Sequence, residues 1–186
     1  KYSIDGAPEW ETPAVDQTAL ILWGLERHYR RTGNAAFIES CRPMIEQAAA
    51  VCGGASGHPA LQWDEDLGLI RSFGMWDDRF GAFFFSNVCV VAGLRSAARL
   101  ARLVNRDDLA MQWQLLADRI WHEGILGDSL EVGRPKGMID AETGRFLDCR
   151  RMSKLRGLWT DRPEMIWDRT ADIDIGLLSV AVPFGL

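Results

Sequence analysis

SNVCVVAGLRSAARLARLVNRDDLAMQWQLLADRIWHE, residues 86–123, decides the fold. Its apolar residues recur three and four apart, which is the period of a helix face and not of a strand. The spacing predicts one helix from about Ser86 to Val104. Gly93, Ala97, Ala98 and Ala101 are small enough to let a neighbouring helix approach closely. Asn105 reads as the cap of a second helix over about Arg106–Glu123, with Leu109, Trp113, Leu116, Ile120 and Trp121 on its apolar side. So short a joint makes the pair an antiparallel helical hairpin.

Working outward, a similar pair precedes it. Thr12-Pro13 opens a helix in which Val15, Ala19, Leu22 and Trp23 share a face, and Gly33-Asn34 stops it. A further helix runs from about Ala35 to Cys52 and ends at Gly53-Gly54. Residues 53–79 read as irregular, with acids gathered around Trp63 and Trp76. Residues 124–169 are a long excursion. Within it, Met138-Ile139-Asp140 and Arg145-Phe146-Leu147 flank Ala141-Glu142-Thr143-Gly144, a β-hairpin pattern. A fifth helix is expected from near Thr170, with Pro183 to kink or end it. The expectation is an all-α chain of helical hairpins with one short β-hairpin excursion.

Composition removes several function classes. The chain has 186 residues, 47% of them hydrophobic, and a formal net charge of -5. That charge disfavours a nucleic-acid binder, which needs a basic stripe. No apolar run approaches the roughly 18 residues that span a bilayer, so no membrane partner is expected. Cys41, Cys52, Cys89 and Cys149 are far apart and His28, His58 and His122 are dispersed, so neither a metal site nor a disulfide framework is signalled. Gly54-Ala55-Ser56-Gly57 lacks the spacing of a serine nucleophile elbow. No cofactor motif is present, and none is expected. The chain opens at Lys1 and stops in an apolar stretch at Leu186, and both ends read as cuts.

Carboxylates with aromatic walls remain. If successive helices alternate in direction, the first, third and fifth start at one end of the molecule. Acids stand at those starts: Asp16, then Asp77 and Asp78, then Asp172 and Asp174. Acids also favour helix starts simply because they oppose the helix dipole. Asp77 and Asp78, flanked by Met75, Trp76 and Phe80, nevertheless suit glycoside cleavage, in which one carboxylic acid protonates the leaving oxygen. Apolar walls and a neighbouring carboxylate keep such an acid protonated.

The order of segments adds a resemblance. Pro13-Ala14-Val15-Asp16-Gln17-Thr18-Ala19-Leu20-Ile21-Leu22-Trp23 resembles the Gln-Leu-Asp-Glu-Thr-Ala helix start of glycoside hydrolase family 15, which holds glucoamylases, glucodextranases and some trehalases. Gly74-Met75-Trp76-Asp77-Asp78-Arg79-Phe80-Gly81 is similar to that family's Leu-Trp-Glu-Glu-Arg segment. Phe85-Ser86-Asn87 and Ala92-Gly93-Leu94-Arg95-Ser96-Ala97-Ala98 resemble the helix after it. Asp172-Ile173-Asp174-Ile175-Gly176-Leu177-Leu178 is similar to its Leu-Asp-Ala-Ser-Leu-Leu segment.

The resemblance implies part of an (α/α)6 barrel, with residues 1–186 as a partial catalytic domain whose remaining half lies elsewhere in the protein. It implies an inverting, exo-acting hydrolase of α-glucosidic linkages, with an oligosaccharide or α-glucoside as substrate. Asp77 would be the general acid, Asp78 and Asp16 would contact the sugar, and Trp76 would line the site. The general base would lie beyond Leu186, so this piece alone would not turn over substrate. Two departures stand out: Asp77 occupies a position where the family has Glu, and Gln17 follows Asp16 where the family has Glu. The alternative is a non-catalytic carbohydrate-binding or scaffold protein with the same fold. In either case Asp16, Asp77, Asp78 and Asp174 are expected near one end.

Overall fold

The computed structural model describes residues 14–55, 57, 61–73, 79–127, 137–140, 143–154, 165–170 and 184. Helix α1 spans Val15–Thr32, α2 Ala35–Ser40, α3 Arg42–Cys52, α4 Phe84–Leu103 and α5 Asp107–Arg119. A π-helical segment, Ile120–Leu126, continues α5.

Local chemistry sets these boundaries. Gly33 ends α1 in the left-handed conformation and donates its N–H to the Tyr29 carbonyl. Asn34 caps α2 by accepting a hydrogen bond from the Phe37 N–H at 3.0 Å. The single helix expected over residues 35–52 is broken at Cys41, because Pro43 in the first turn of α3 has no N–H with which to continue the ladder. Asn105, expected as a cap, is instead a left-handed turn residue with φ 56°, a conformation that Asn tolerates better than most. Arg106 takes the N-cap position of α5.

Helix α4 is the centre of the core. Three relationships show that α1 runs parallel to it. Asp16 lies near Cys89, a Cβ on Gly93 would meet the Ala19 carbonyl oxygen at 2.7 Å, and Arg99 donates to Glu26 at 3.2 Å. Position advances together on both helices. Helix α5 runs the other way: Arg95 meets Asp118 at 3.1 Å, while Leu100, Ala101 and Val104 share a crevice with Leu109 and Trp113. The expected antiparallel hairpin forms, and the first and third expected helices start at the same end.

The described chain is mostly helical, as expected, but it carries more β-structure than one short hairpin. Five strands, β1 (Leu61–Asp64), β2 (Leu69–Phe73), β3 (Arg79–Phe83), β4 (Cys149–Lys154) and β5 (Met165–Thr170), form one antiparallel sheet in the order β1-β2-β3-β4-β5. Residues 61–73, expected to be irregular, are a hairpin. Asp64 closes its turn by accepting from the Leu67 N–H at 3.1 Å, and Gly68 supplies the left-handed residue. The excursion over residues 124–169 contributes β4 and, at its end, β5. Its predicted hairpin forms as a single antiparallel bridge, Ile139 to Phe146, with the Asp140 carboxylate accepting from the Thr143 N–H at 2.9 Å. The described helices do not by themselves define a barrel. The expected fifth helix, beyond Thr170, lies outside the described residues.

Candidate functional site

The acid motif expected from the sequence, Trp76-Asp77-Asp78, lies outside the described residues, as do Asp172 and Asp174. Its supports are described. Residues 74–78 join β2 to β3, and the flanking residues are register partners: Ser72 faces Gly81 and Phe73 faces Phe80. The Phe73 and Phe80 rings meet edge-on with centroids 5.5 Å apart. Five residues therefore bridge two adjacent antiparallel strands whose last pair is locked by aromatic contact.

The strand pair is fixed to the core by Asn87. Its carboxamide oxygen accepts from the Ile70 N–H at 2.8 Å. Its amide nitrogen donates to the Ile70 carbonyl at 3.0 Å and to the Phe83 carbonyl at 2.8 Å. β3 passes into α4 at Phe84 without a linker, so the ladder opposite Ile70 stops there, and Asn87 supplies the missing partners. Asn87 is fully buried. Its sequence gives no sign of this role, because the pairing spans 17 positions between two elements.

Asp16 stands at the second position of α1, at the end where α4 begins. It is 3% exposed, and its charge helps to raise the pKa of the buried Cys89 thiol. The structure thus puts Asp16 and the start of α4 at one end of the helical layer.

The outer part of the sheet carries a charge network that sequence reasoning missed. Arg151 occupies a β-bulge of β4 with φ 49°, a strained conformation for a residue with a side chain. Its guanidinium donates to both oxygens of Asp64, at 2.9 and 2.8 Å, and to Asp66 at 3.0 Å. These hydrogen bonds, that to Asp66 foremost, hold Arg151 above its ordinary pKa. Arg119 clamps the same turn through Glu65 at 3.0 Å. Arg71 differs from both. Its buried Nε has no hydrogen-bond partner among the described residues, and its guanidinium sits 4.8 Å from the Phe80 ring centroid. Burial lowers its pKa, opposed by the charge of Asp64.

Elsewhere, Trp23, Gly24, Arg27, His28 and Arg31 line an open groove of about 640 Å³ along α1. It lies toward the C-terminal end of that helix, away from Asp16, where cations complement the helix dipole. Among the described residues no group of three or more His, Cys, Asp or Glu side chains could hold a metal ion, and no helix is long and apolar enough to cross a membrane.

Residues 1–149 match the model of glycosyl hydrolases family 15. A stretch of 122 residues, 66% of the chain, is 30% identical to a protein of Methanocaldococcus jannaschii named as the uncharacterized glycosyl hydrolase MJ1610. The match spans 18% of that relative's length. No solved structure matches the chain.

Proposed function

The chain belongs to glycosyl hydrolase family 15, and from that premise we infer that it is the acid-bearing section of a glycoside hydrolase whose remaining half-barrel lies in the rest of the protein. The observation that carries this reading is the support of residues 74–78. The strands that flank them are paired through Phe73 and Phe80 and pinned to α4 by Asn87, a firm base for a catalytic group. The family match and the relative's name favour a hydrolase over a non-catalytic saccharide binder.

In this reading Asp77 is the general acid. It gives its proton to the glycosidic oxygen as the bond from that oxygen to C1 breaks. A carboxylate outside this chain takes a proton from the water that attacks C1 on the opposite face, so the anomeric configuration inverts. The two carboxyl groups then stand roughly 6.5–9.5 Å apart, leaving room for the water. Trp76 walls the sugar, and Asp78 and Asp16 accept hydrogen bonds from its hydroxyls. The substrate is an α-glucoside or α-linked oligosaccharide cleaved from its non-reducing end.

Proton NMR of the full-length protein acting on maltose tests this. β-Glucose is expected as the first product, and Asp77→Asn should abolish its release. Release of α-glucose first, or full activity in Asp77→Asn, would refute the assignment.

A further inference from the structure

The groove along the C-terminal half of α1 is cationic. Trp23, Gly24, Arg27, His28, Arg30 and Arg31 line it, and its volume of about 640 Å³ falls in the range of small-molecule sites. Arg27, His28 and Arg31 are exposed, and the Arg30 side chain is 56% exposed. A fourth guanidinium joins them from α4. The buried Glu26 carboxylate accepts from Arg30 and, at 3.2 Å, from Arg99. Among the described residues Glu26 is the one carboxylate that meets these four arginines.

Helix ends attract cations without any ligand, so the size of the excess decides. A helix C-terminus carries only about half a negative charge. Against that half charge and one carboxylate, four guanidiniums leave an excess of about two and a half positive charges. The chain as a whole carries -5, so its general composition does not supply this excess. The groove is also held in shape. The Arg27 guanidinium lies 5.2 Å from the centroid of the Trp23 ring, which in turn meets Phe184 edge-on at 5.6 Å. His28 meets Phe37 edge-on at 5.0 Å. Groups fixed in advance lose less entropy when a ligand arrives. Gly24 leaves the floor open, since a Cβ there would have nothing within 4 Å.

From Trp23 to Arg31 the helix rises about 12 Å, and Gly33 ends it. That length suits a small anion and not the track of a polymer. We propose that this groove binds a small molecule bearing a di- or triphosphate group. Each phosphate brings more than one negative charge and several acceptor oxygens into a short space. The planar fork of a guanidinium matches such oxygens with two parallel hydrogen bonds. The groove lies at the end of α1 away from Asp16, so the inference does not depend on the hydrolase reading.

The test is isothermal titration of the full-length protein with inorganic tripolyphosphate at physiological salt. A Kd below about 1 mM is expected. The double variant Arg27→Gln, Arg31→Gln should weaken binding by at least about tenfold, the least that loss of a charge-assisted hydrogen bond is worth. Gly24→Leu keeps every charge and fills the floor of the groove, and it should weaken binding as well. Citrate, a small carboxylate anion of comparable charge, should bind more weakly than tripolyphosphate. No binding below about 1 mM overturns the proposal. Equal or tighter binding of citrate overturns it too, because the groove then selects charge and not phosphate. So does an affinity that either variant leaves unchanged. If the double arginine variant does not fold, Gly24→Leu decides in its place.

Discussion

Asn87 stands in for a strand opposite Ile70. Its carboxamide completes both backbone groups of that residue, at 2.8 and 3.0 Å, where β3 has already turned into α4. One side chain from the first turn of a helix thereby joins the sheet to the helical core.

Replacing Asn87 with Leu should therefore be costly. The change leaves the Ile70 N–H, the Ile70 carbonyl and the Phe83 carbonyl without their partner in a dry interior. The expected loss is about 2–4 kcal/mol, from desolvated groups that cost roughly 1–3 kcal/mol each and partly relax. Asn87→Asp should also destabilise, because a carboxylate cannot donate to the two carbonyls. Denaturant titration measures both, and a loss below the error of that method would contradict the assigned role.

Gly93 is the contact point of α1 and α4. A Cβ there would lie 2.7 Å from the Ala19 carbonyl oxygen and 2.9 Å from its Cα, both backbone atoms that cannot swing aside. Gly93→Ala should force the helices apart and cost about 1–3 kcal/mol as overpacking, despite the better helix propensity of Ala. Gly24, on the open side of α1, has nothing within 4 Å of such a Cβ. Gly24→Ala should be neutral or should stabilise by up to about 1 kcal/mol. Thermal melts should show a lowered midpoint for Gly93→Ala and an unchanged or raised one for Gly24→Ala.

Removing Arg151 leaves the Asp64 carboxylate, whose side chain is 5% exposed, without its bidentate partner. Because the Arg151 side chain is itself 37% exposed, solvent screens part of the effect. Arg151→Met should destabilise by about 1–3 kcal/mol, and pairing it with Asp64→Asn should recover much of the loss. Additive effects in the double variant would show that the two side chains are not coupled.

Burial holds the Cys52 thiol up to about 12 and raises Cys89 and Cys149 as well, with desolvation the leading cause in each. A raised thiol pKa means that the folded chain keeps a proton which the unfolded chain releases near 9, the ordinary thiol value. The stability held below pH 9 is thus lost progressively as pH climbs from 9 toward 12. Cys41, partly exposed, should react with iodoacetamide in the native protein, and the other three only after unfolding. Peptide mass mapping reads the order, and early labelling of Cys52 would contradict its burial.

The helices were legible because their signals are local. Val15, Ala19 and Leu22 mark the α1 face, Gly33 marks its end, and the small residues of α4 announce the close approach to α1. The sheet was less legible. Leu61-Gln62-Trp63-Asp64 and Leu69-Ile70-Arg71-Ser72-Phe73 flank a turn with Gly68 at its end, a recognisable hairpin pattern that the nearby acids and glycines obscure. β4 pairs with β3 across about seventy positions, and no local period announces a partner so distant. The same holds for the site. Asp16 and the segment 74–78 stand out as acids beside aromatics, whereas the roles of Asn87, Arg71 and Arg151 arise only when separated elements meet.

Residues 74–78 begin and end on a fixed pair, Phe73 and Phe80 with Arg79 between, and that pair is anchored through β2, α4 and the clamped turn at residues 65–68. The consequence is modularity. The hydrogen bonds described for this foundation are made by Asn87, Ile70, Phe83, Asp64 and Leu67, so the framework can be altered or kept independently of the residues it presents. A scaffold so arranged lets evolution, or an engineer, exchange the reactive group as a cassette.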